Sequence, residues 1–279
     1  MKLKRPLSSK KIAQLDRARE QRAELKKAMS EPFHINEEKK YSLDVSKIEP
    51  KFKIPEIPFN KPGLPKPPFR MLMVGPSGSG KSNLLLTLIT NKSFYKDYFK
   101  NRIHVFSRSI TTDPIWTNLS LPIIKGSYDS YYPDALKQII EEQEKIVEAE
   151  GKNKNNTKLI ILDDCLSEIY NRAGKPGEIE TCFFRARHCN VSLIVTAQSY
   201  YHLPKSLRIN ASCLVAFRLS NHTENRGLYN EHGGRLEFPQ WKQLMQHVWS
   251  EPYAFLYIWY NPESQVEYRR GFSTVLNIE

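Results

Sequence analysis

The chain has 279 residues, with 42 Lys or Arg against 30 Asp or Glu, and its formal net charge of +12 gives a sequence pI near 9.4. This length is enough for one sizeable core and additional segments. No apolar run approaches the ~20 residues of a membrane span, and the lysine-rich start lacks the apolar stretch of a secretory signal. The charge favours a polyanionic partner such as nucleic acid, with an ordinary solvated basic surface as the alternative.

Four cysteines are scattered along the chain without a C-x-x-C pair, which argues against a zinc site or a disulfide framework. Such cysteines suit a reducing compartment, and we expect them to be small core residues. They are Cys165, Cys182, Cys189 and Cys213.

Composition divides the chain into four segments. Residues 1–30 carry ten Lys or Arg against three Asp or Glu, and they contain good helix formers but few apolar residues, which predicts a basic, helix-prone arm. Residues 31–68 hold eight of the 18 prolines and are predicted to form an extended linker. The folded domain is expected over residues 69–262, and a C-terminal tail over residues 263–279.

Short apolar runs alternate with helical stretches in the expected domain. In chain order, strands are predicted at residues 69–74, 103–106, 159–162, 191–196, 213–217 and 253–260. Helices are predicted at residues 83–89, 134–150 and 178–188. Continuous apolar strands separated by helices are typical of an α/β fold, in which helices cover both faces of a mostly parallel sheet.

The segment GPSGSGKSN, residues 75–83, matches the pattern G-x-x-x-x-G-K-[ST]. It lies between a predicted strand and a predicted helix, where backbone N–H groups at a helix N-terminus can bind phosphate. Lys81 is expected to neutralise the β- and γ-phosphates of ATP, and the Ser82 hydroxyl to coordinate Mg²⁺. A glycine-rich turn before a core helix is the alternative. The predicted nucleotide-binding residues are Gly75, Pro76, Ser77, Gly78, Ser79, Gly80, Lys81, Ser82 and Asn83.

Two carboxylates end the apolar run at residues 158–164. Asp163 is predicted to hold Mg²⁺ through water, and Asp164 to act as general base toward the attacking water. The alternative is an acidic turn that merely ends a strand. Gln198 follows the predicted strand at residues 191–196, so it is expected to reach the γ-phosphate or the water, unless it is simply a polar strand end.

Four segments occur in order along the chain: GPSGSGKSN, LIILDDC, RARHCNVSLIVTAQS and LPKSLRINASCLVAF. Together they resemble the FtsK–HerA superfamily of DNA-pumping ATPases, most of all its viral genome-packaging branch, over roughly residues 69–220. The resemblance implies a P-loop NTPase with a RecA-like core that binds ATP and Mg²⁺. It also implies a homo-oligomeric ring around double-stranded DNA, a capsid or portal-vertex partner, and an intracellular site of viral assembly or association with the virion. Asp164 stands where many superfamily members have Glu, which shortens the base by one methylene.

Ring ATPases need an arginine that is supplied across the subunit boundary. The candidates are Arg185, Arg187, Arg208 and Arg218. The Arg-His pair of the family pattern favours Arg187, and Arg208 is the second choice because it also flanks the strand before Gln198. An ordinary surface charge is the alternative for each. Contacts with the DNA backbone are expected from the basic loops at residues 171–177 and 202–208, which are otherwise ordinary solvent loops.

Other functions use the same residue types. A cellular or plasmid DNA pump would share the ATPase, but such proteins usually carry membrane segments or appended domains. A terminase would need a C-terminal nuclease, and the residues after Phe217 contain no carboxylate cluster suited to two metals. A small-molecule kinase would need an acceptor pocket and a lid. A basic nucleic-acid-binding protein could use ATP as a structural ligand only, without hydrolysis.

Overall fold

The computed structural model describes residues 63–117, 124–165, 177–234, 236–260 and 266–277, together with residues 17, 20, 59 and 61. Internal contacts divide the chain into two units, Met1–Lys51 and Phe52–Glu279. Only Arg17 and Glu20 are described in the first unit, and both are helical and exposed. The predicted arm and most of the predicted linker therefore lie outside the described residues.

The second unit alternates strands with helices. Its strands are β1 (Arg70–Val74), β2 (Ile103–Ser107), β3 (Ile124–Tyr128), β4 (Lys158–Asp163), β5 (Val191–Ala197), β6 (Cys213–Phe217), β7 (Phe255–Trp259), β8 (Glu267–Arg270) and β9 (Thr274–Val275). Its described helices are α1 (Lys81–Thr90), α2 (Lys96–Phe99), α3 (Pro114–Thr117), α4 (Pro133–Glu150), α5 (Glu178–Arg185), α6 (Lys205–Asn210), α7 (His222–His232) and α8 (Phe238–Val248). None of these helices combines the length and the apolar character needed to cross a membrane.

The strands form one sheet in the order β3-β2-β4-β5-β1-β6-β7-β8-β9. Pairing is parallel from β3 through β6, and β7, β8 and β9 add to the sheet in antiparallel pairs. The predicted mostly parallel sheet is confirmed. One strand, β5, separates β1 from β4, which ends in Asp163.

The sheet continues beyond residue 262, where the sequence places the end of the domain. Two short strands, β8 and β9, pair with β7 and with each other in the segment interpreted as a tail. Tyr268 of β8 is buried, and its hydroxyl donates a hydrogen bond to the His232 carbonyl at 2.6 Å. No apolar run marks β8 in the sequence, because Tyr268 is the one apolar residue among the four residues of this strand. An antiparallel strand that packs only one face on the core can have such a composition.

Alternation along the central strands places core side chains on both faces of the sheet. In β1, Leu72 and Val74 pack on the face covered by α4, α5, α7 and α8, whereas Met71 and Met73 pack on the face covered by α1 and α2. Helices on both faces are thereby confirmed. All four cysteines are buried, as expected of small core residues.

Parallel strands place their carboxyl ends at one edge of a sheet, where ligands bind in α/β folds. Residues that follow the ends of β1, β4, β5 and β6 therefore share this edge. They include Lys81, Asp164, Gln198 and Arg218. The amino ends of the same strands form the opposite edge.

Candidate active site

The phosphate loop, residues 75–80, joins β1 to α1, and Gly80 is the N-cap of the helix. Gly80 has a φ of 104°, in the left-handed region that favours glycine. A Cβ added at Gly75 would lie 2.7 Å from Phe217 Cβ, so the loop approaches β6 this closely only with glycine there. The loop thus presents backbone N–H groups at the N-terminus of α1, where an anion is stabilised.

The remaining loop positions leave polar groups for a ligand. Exposed residues are Ser77, Gly78 and Asn83, and half-buried residues are Pro76, Ser79 and Ser82. The Ser79 hydroxyl is buried and has no hydrogen-bond partner within the part of the chain that the structure describes. A buried hydroxyl without a partner is unfavourable, so Ser79 fits a loop that receives phosphate oxygens.

Lys81 folds back over the phosphate loop. Its Nζ donates hydrogen bonds to the carbonyl oxygens of Gly75, at 2.7 Å, and Pro76, at 3.0 Å. Burial lowers the pKa of Lys81, and the carboxylates of Asp164 and Asp163 act in the opposite direction. The ammonium group therefore lies over the loop, within electrostatic range of both acids.

Asp163 ends β4 and is buried. Its Oδ2 accepts hydrogen bonds from Ser107 Oγ at 3.0 Å and from Trp116 Nε1 at 3.3 Å, and its Oδ1 accepts one from Thr196 Oγ1 at 2.8 Å. Three donors fix the orientation of the carboxylate. Because a carboxylate offers about four acceptor positions, Asp163 can still accept a hydrogen bond from a metal-bound water.

Asp164 has a φ of 54°, which is uncommon for a residue other than glycine. Its backbone N–H donates to Thr196 Oγ1 at 3.0 Å, and its Oδ2 accepts a hydrogen bond from Gln198 Nε2. Strained backbone of this kind concentrates at functional sites. The structure thus brings together both predicted acids and Gln198, with the Thr196 hydroxyl joining Asp163 to Asp164.

The oxygen atoms at this edge suit Mg²⁺, a hard cation that prefers oxygen ligands and keeps several waters. The Ser82 hydroxyl lies in the first turn of α1, next to Lys81. Asp163 already accepts three hydrogen bonds from protein donors, so a contact through water suits it better than direct coordination. These residues therefore fit the metal roles predicted from the sequence.

Arg187 belongs to the edge of the sheet opposite the phosphate loop. It is exposed and precedes β5, whereas Gln198 follows the end of β5. The seven residues of β5 span roughly 20 Å at about 3.3 Å per residue, so Arg187 cannot reach the phosphate loop of its own chain. The pKa of Arg70, at the same edge, is lowered by burial and then by the charge of Arg187. Neither arginine forms an ion pair with a described residue.

The surroundings of Arg208 do not fit its expected role as a second arginine that acts across the subunit boundary. It is buried, and its Nε and Nη2 both donate to the Glu231 carboxylate at 2.7 Å. Its Nη1 donates to the Leu203 carbonyl, and its guanidinium lies 4.9 Å from the centre of the Tyr200 ring. The guanidinium therefore binds groups of its own chain and forms a structural ion pair with Glu231.

The other two arginine candidates lie on different parts of the molecule. Arg185 is exposed on α5 and pairs with Glu144. Arg218 is exposed beyond the end of β6 and lines a cavity of about 620 Å³ beside the phosphate loop. Loop residues 76–79 and the segment 249–254 also line this cavity. The sequence assigns this segment no functional role, and it places residues 253 and 254 in a strand that begins in the structure only at Phe255.

Sequence reasoning misses the residues that orient Asp163. Thr196 leaves one signal, because it carries a hydroxyl group directly after the apolar residues 193–195 and shortly before Gln198. Trp116 leaves none, since 47 positions separate it from Asp163. The basic loop at residues 171–177 lies outside the described residues except for Gly177, which begins α5 as its N-cap.

Comparison with known proteins gives a family match. Residues 56–229 match the family model described as Poxvirus A32 protein. The chain is 29% identical over 167 residues to DNA packaging protein OPG160 of vaccinia virus strain Copenhagen, across 58% of this chain and 57% of that protein. It is 26% identical over 194 residues to uncharacterized protein 088R of invertebrate iridescent virus 3, across 68% of each. The chain thus spans little more than half the length of the vaccinia virus relative.

The fold is similar to a solved structure of the genome packaging NTPase B204 from Sulfolobus turreted icosahedral virus 2 in complex with AMP. The TM-score is 0.51 at 15% identity, and the match covers 73% of this chain and 97% of B204. This likeness concerns the fold, an α/β sheet with helices on both faces.

Proposed function

The chain belongs to the poxvirus A32 protein family, and from this premise we propose that it is an ATPase whose hydrolysis drives double-stranded DNA into a viral capsid. The observation that carries the proposal is the contact between Gln198 and Asp164 beside the phosphate loop. A site that only binds ATP does not need a carboxylate that is hydrogen-bonded to a polar side chain at the end of a strand. A hydrolase needs such a carboxylate as its general base. The name of the vaccinia virus relative, a DNA packaging protein, supports the choice of substrate.

The phosphate loop holds the triphosphate in this proposal. Backbone N–H groups of the loop bind the phosphates, and Lys81 exchanges the carbonyls of Gly75 and Pro76 for phosphate oxygens. Ser82 directly and Asp163 through water would hold Mg²⁺, which neutralises charge on the β- and γ-phosphates when bound.

Asp164 supplies the base. Its carboxylate accepts a proton from the attacking water while Gln198, bonded to the same carboxylate, orients the water against the γ-phosphate. The Thr196 hydroxyl holds the Asp164 N–H and the Asp163 carboxylate in fixed relation. Preorganised groups of this kind lower the barrier because they need not reorient during the reaction.

The position of Arg187 supports the proposal of a ring. If Arg187 acts on a nucleotide, its place at the edge opposite its own phosphate loop requires that nucleotide to belong to another subunit. Arg70 adds a second cation at that edge, and the uncompensated positive charge suits a neighbour's phosphates. A head-to-tail contact that closes on itself produces a ring in which each site is completed by the next subunit.

Double-stranded DNA and a capsid or portal-vertex protein are the partners in this proposal, at the site of viral assembly inside the cell. The net charge of +12 favours the DNA backbone. With Arg208 held by Glu231, the exposed basic side chains of the segment 202–208 are His202 and Lys205.

Steady-state ATP hydrolysis with and without duplex DNA tests the function. We expect DNA to stimulate turnover, and Lys81→Ala and Ser82→Ala to abolish it, because each removes a predicted contact with phosphate or metal. Lys137→Ala, which changes an exposed lysine of α4, should leave turnover unchanged. Turnover near wild type in Lys81→Ala would contradict the proposal. DNA binding without any hydrolysis by the wild-type chain would favour ATP as a structural ligand.

A further inference from the structure

The order of the strands determines which way a nucleotide extends from the phosphate loop. β1 lies between β5 and β6 in the sheet. Gln198 and Asp164, the groups proposed to act at the γ-phosphate, lie on the β5 side. A triphosphate whose γ-phosphate lies toward β5 can extend its nucleoside end toward β6.

A cavity is present on that side. Its volume is about 620 Å³, within the roughly 300–1,000 Å³ of sites that bind small molecules. One wall is the phosphate loop. The opposite walls include Phe217 at the end of β6, Arg218 directly after it, and the segment 249–254 before β7. Glu251 in this wall pairs with Arg270 at 2.7 Å, so it leaves the charge of Arg218 uncompensated. An uncompensated cation suits an anionic ligand.

Tyr253 is the unusual residue of this cavity. The residue is 71% exposed, and its φ of 61° is rare for a bulky residue. A Cβ added at Gly80 would lie 3.4 Å from Tyr253 Cδ1, so the aromatic ring stands directly against the phosphate loop. An exposed ring on strained backbone contributes little to folding, and such strain marks ligand-binding positions.

We propose that Tyr253 stacks on the nucleobase of ATP. An aromatic ring offers its face to any base, and the cavity gives the base a position next to the loop that holds the phosphates. The inference rests on the proposed function, because it names the part of that nucleotide site that receives the nucleoside.

Calorimetric titration of the full chain with two ligands separates the base from the phosphates. The ligands are a non-hydrolysable ATP analogue and inorganic tripolyphosphate, each with Mg²⁺. Tyr253→Ala should weaken binding of the ATP analogue by about tenfold, the order expected for base–aromatic stacking, and leave binding of tripolyphosphate unchanged. Tyr253→Phe should bind both ligands as the wild type does. Tyr132→Ala removes another exposed tyrosine, which lies beyond β3 at the far side of the sheet, and should change neither affinity.

Two results would overturn the assignment of Tyr253. One is wild-type affinity of Tyr253→Ala for the ATP analogue, and the other is an equal loss for both ligands. Lys81→Ala tests the proposed function separately, because it should lower the affinity for both ligands. If it weakens neither, the phosphate loop is not the nucleotide site, whatever Tyr253→Ala does.

Discussion

The Gln198 amide donates a hydrogen bond to the Asp164 carboxylate across the ends of two adjacent parallel strands, β5 and β4. The two residues are 34 positions apart in the chain. Gln198 is exposed and Asp164 is half-buried, so the contact is open to solvent at the edge of the sheet that carries the phosphate loop. A displacement of Gln198 by the γ-phosphate would change the hydrogen bonding of the proposed base, which links occupancy of the site to its chemistry.

Asp164→Asn should slow ATP hydrolysis by about 100-fold or more, since an amide cannot accept the proton of water. ATP binding should persist because Lys81 and the phosphate loop are unchanged. The steady-state rate and the Kd for ATP give the two measurements. Unchanged turnover would mean that the base lies elsewhere.

Asp163→Asn is the matched comparison for this prediction. The Asn side chain keeps one oxygen, so its NH2 group would face either the Ser107 and Trp116 donors at the Oδ2 position or the Thr196 hydroxyl at the Oδ1 position. Donors facing donors in a buried position are destabilising, by about 1–3 kcal/mol for each unsatisfied group. We therefore expect a lower Tm for Asp163→Asn and a nearly unchanged Tm for Asp164→Asn.

The phosphate loop and the acid pair could be predicted because their signals are local. A strand, a glycine-rich loop and the first turn of a helix are consecutive in the chain, and Asp163 ends a continuous apolar run. Parallel pairing, inferred from the alternation of strands and helices, then places both motifs at one edge of the sheet. The chemistry of the site follows from these short-range patterns.

Contacts between distant segments could not be predicted in the same way. Arg208 looks like a surface arginine in the sequence, and only the fold brings Glu231 of α7 within 2.7 Å of it. Tyr253 gives no sign of its left-handed backbone, and the cavity it lines exists only because β7 pairs with β6. The alternation that marks β8 is too short to separate from a polar tail.

Removal of residues 1–51 should leave the basal ATPase rate and the Tm unchanged, because the second unit begins at Phe52. Removal of residues 1–68 should lower the Tm by about 5 °C or more, since it deletes the buried Leu64 and the half-buried Phe59. The centre of the Phe59 ring lies 5.7 Å from that of Tyr95. Differential scanning calorimetry and ATP turnover are the measurements. As a further expectation, the shorter deletion should weaken DNA binding because it removes the basic arm. A chain without residues 1–51 that cannot fold would contradict this division.

Acidification should destabilise the protein between pH 6.5 and pH 4 through buried His232. Its Nε2 lies 2.6 Å from the Tyr200 hydroxyl, and its Nδ1 bonds the Tyr260 hydroxyl. Burial lowers the pKa of His232 from 6.5 to about 4. The unfolded chain therefore binds a proton in this range that the folded chain does not, and the free energy of unfolding falls as the pH falls.

Urea unfolding at several pH values checks this dependence. His232→Gln should reduce the slope of the free energy of unfolding against pH, and His202→Gln, which changes an exposed histidine, should not. His104 should supply part of the remaining slope, because burial lowers its pKa to about 4 as well. An unchanged slope in His232→Gln would exclude His232 as a source of the effect.

Arg187 should act on the nucleotide of a neighbouring subunit, since β5 separates it by roughly 20 Å from its own phosphate loop. Arg187→Ala alone should lose about 10³–10⁵ in rate, the effect typical of such arginines. Lys81→Ala alone should also be inactive. Mixed in equal amounts, the two variants should recover activity where an intact Lys81 meets an intact Arg187. If the two variants assemble at random, about a quarter of the interfaces in a ring join an intact Lys81 to an intact Arg187. The recovered activity should follow this fraction if the interfaces act independently.

Two other arginines serve as comparisons in the same assay. Arg185→Ala should remain active by itself, because Arg185 is exposed and paired with Glu144 of its own chain. Arg208→Ala should instead lower the free energy of unfolding by about 2 kcal/mol or more, because Glu231 loses its bidentate partner. Failure of the Arg187→Ala and Lys81→Ala mixture to recover activity, although the subunits assemble together, would contradict the shared site. Full DNA-stimulated hydrolysis by a monomer of the wild-type chain would contradict the ring itself, because a monomer has no neighbour to supply Arg187.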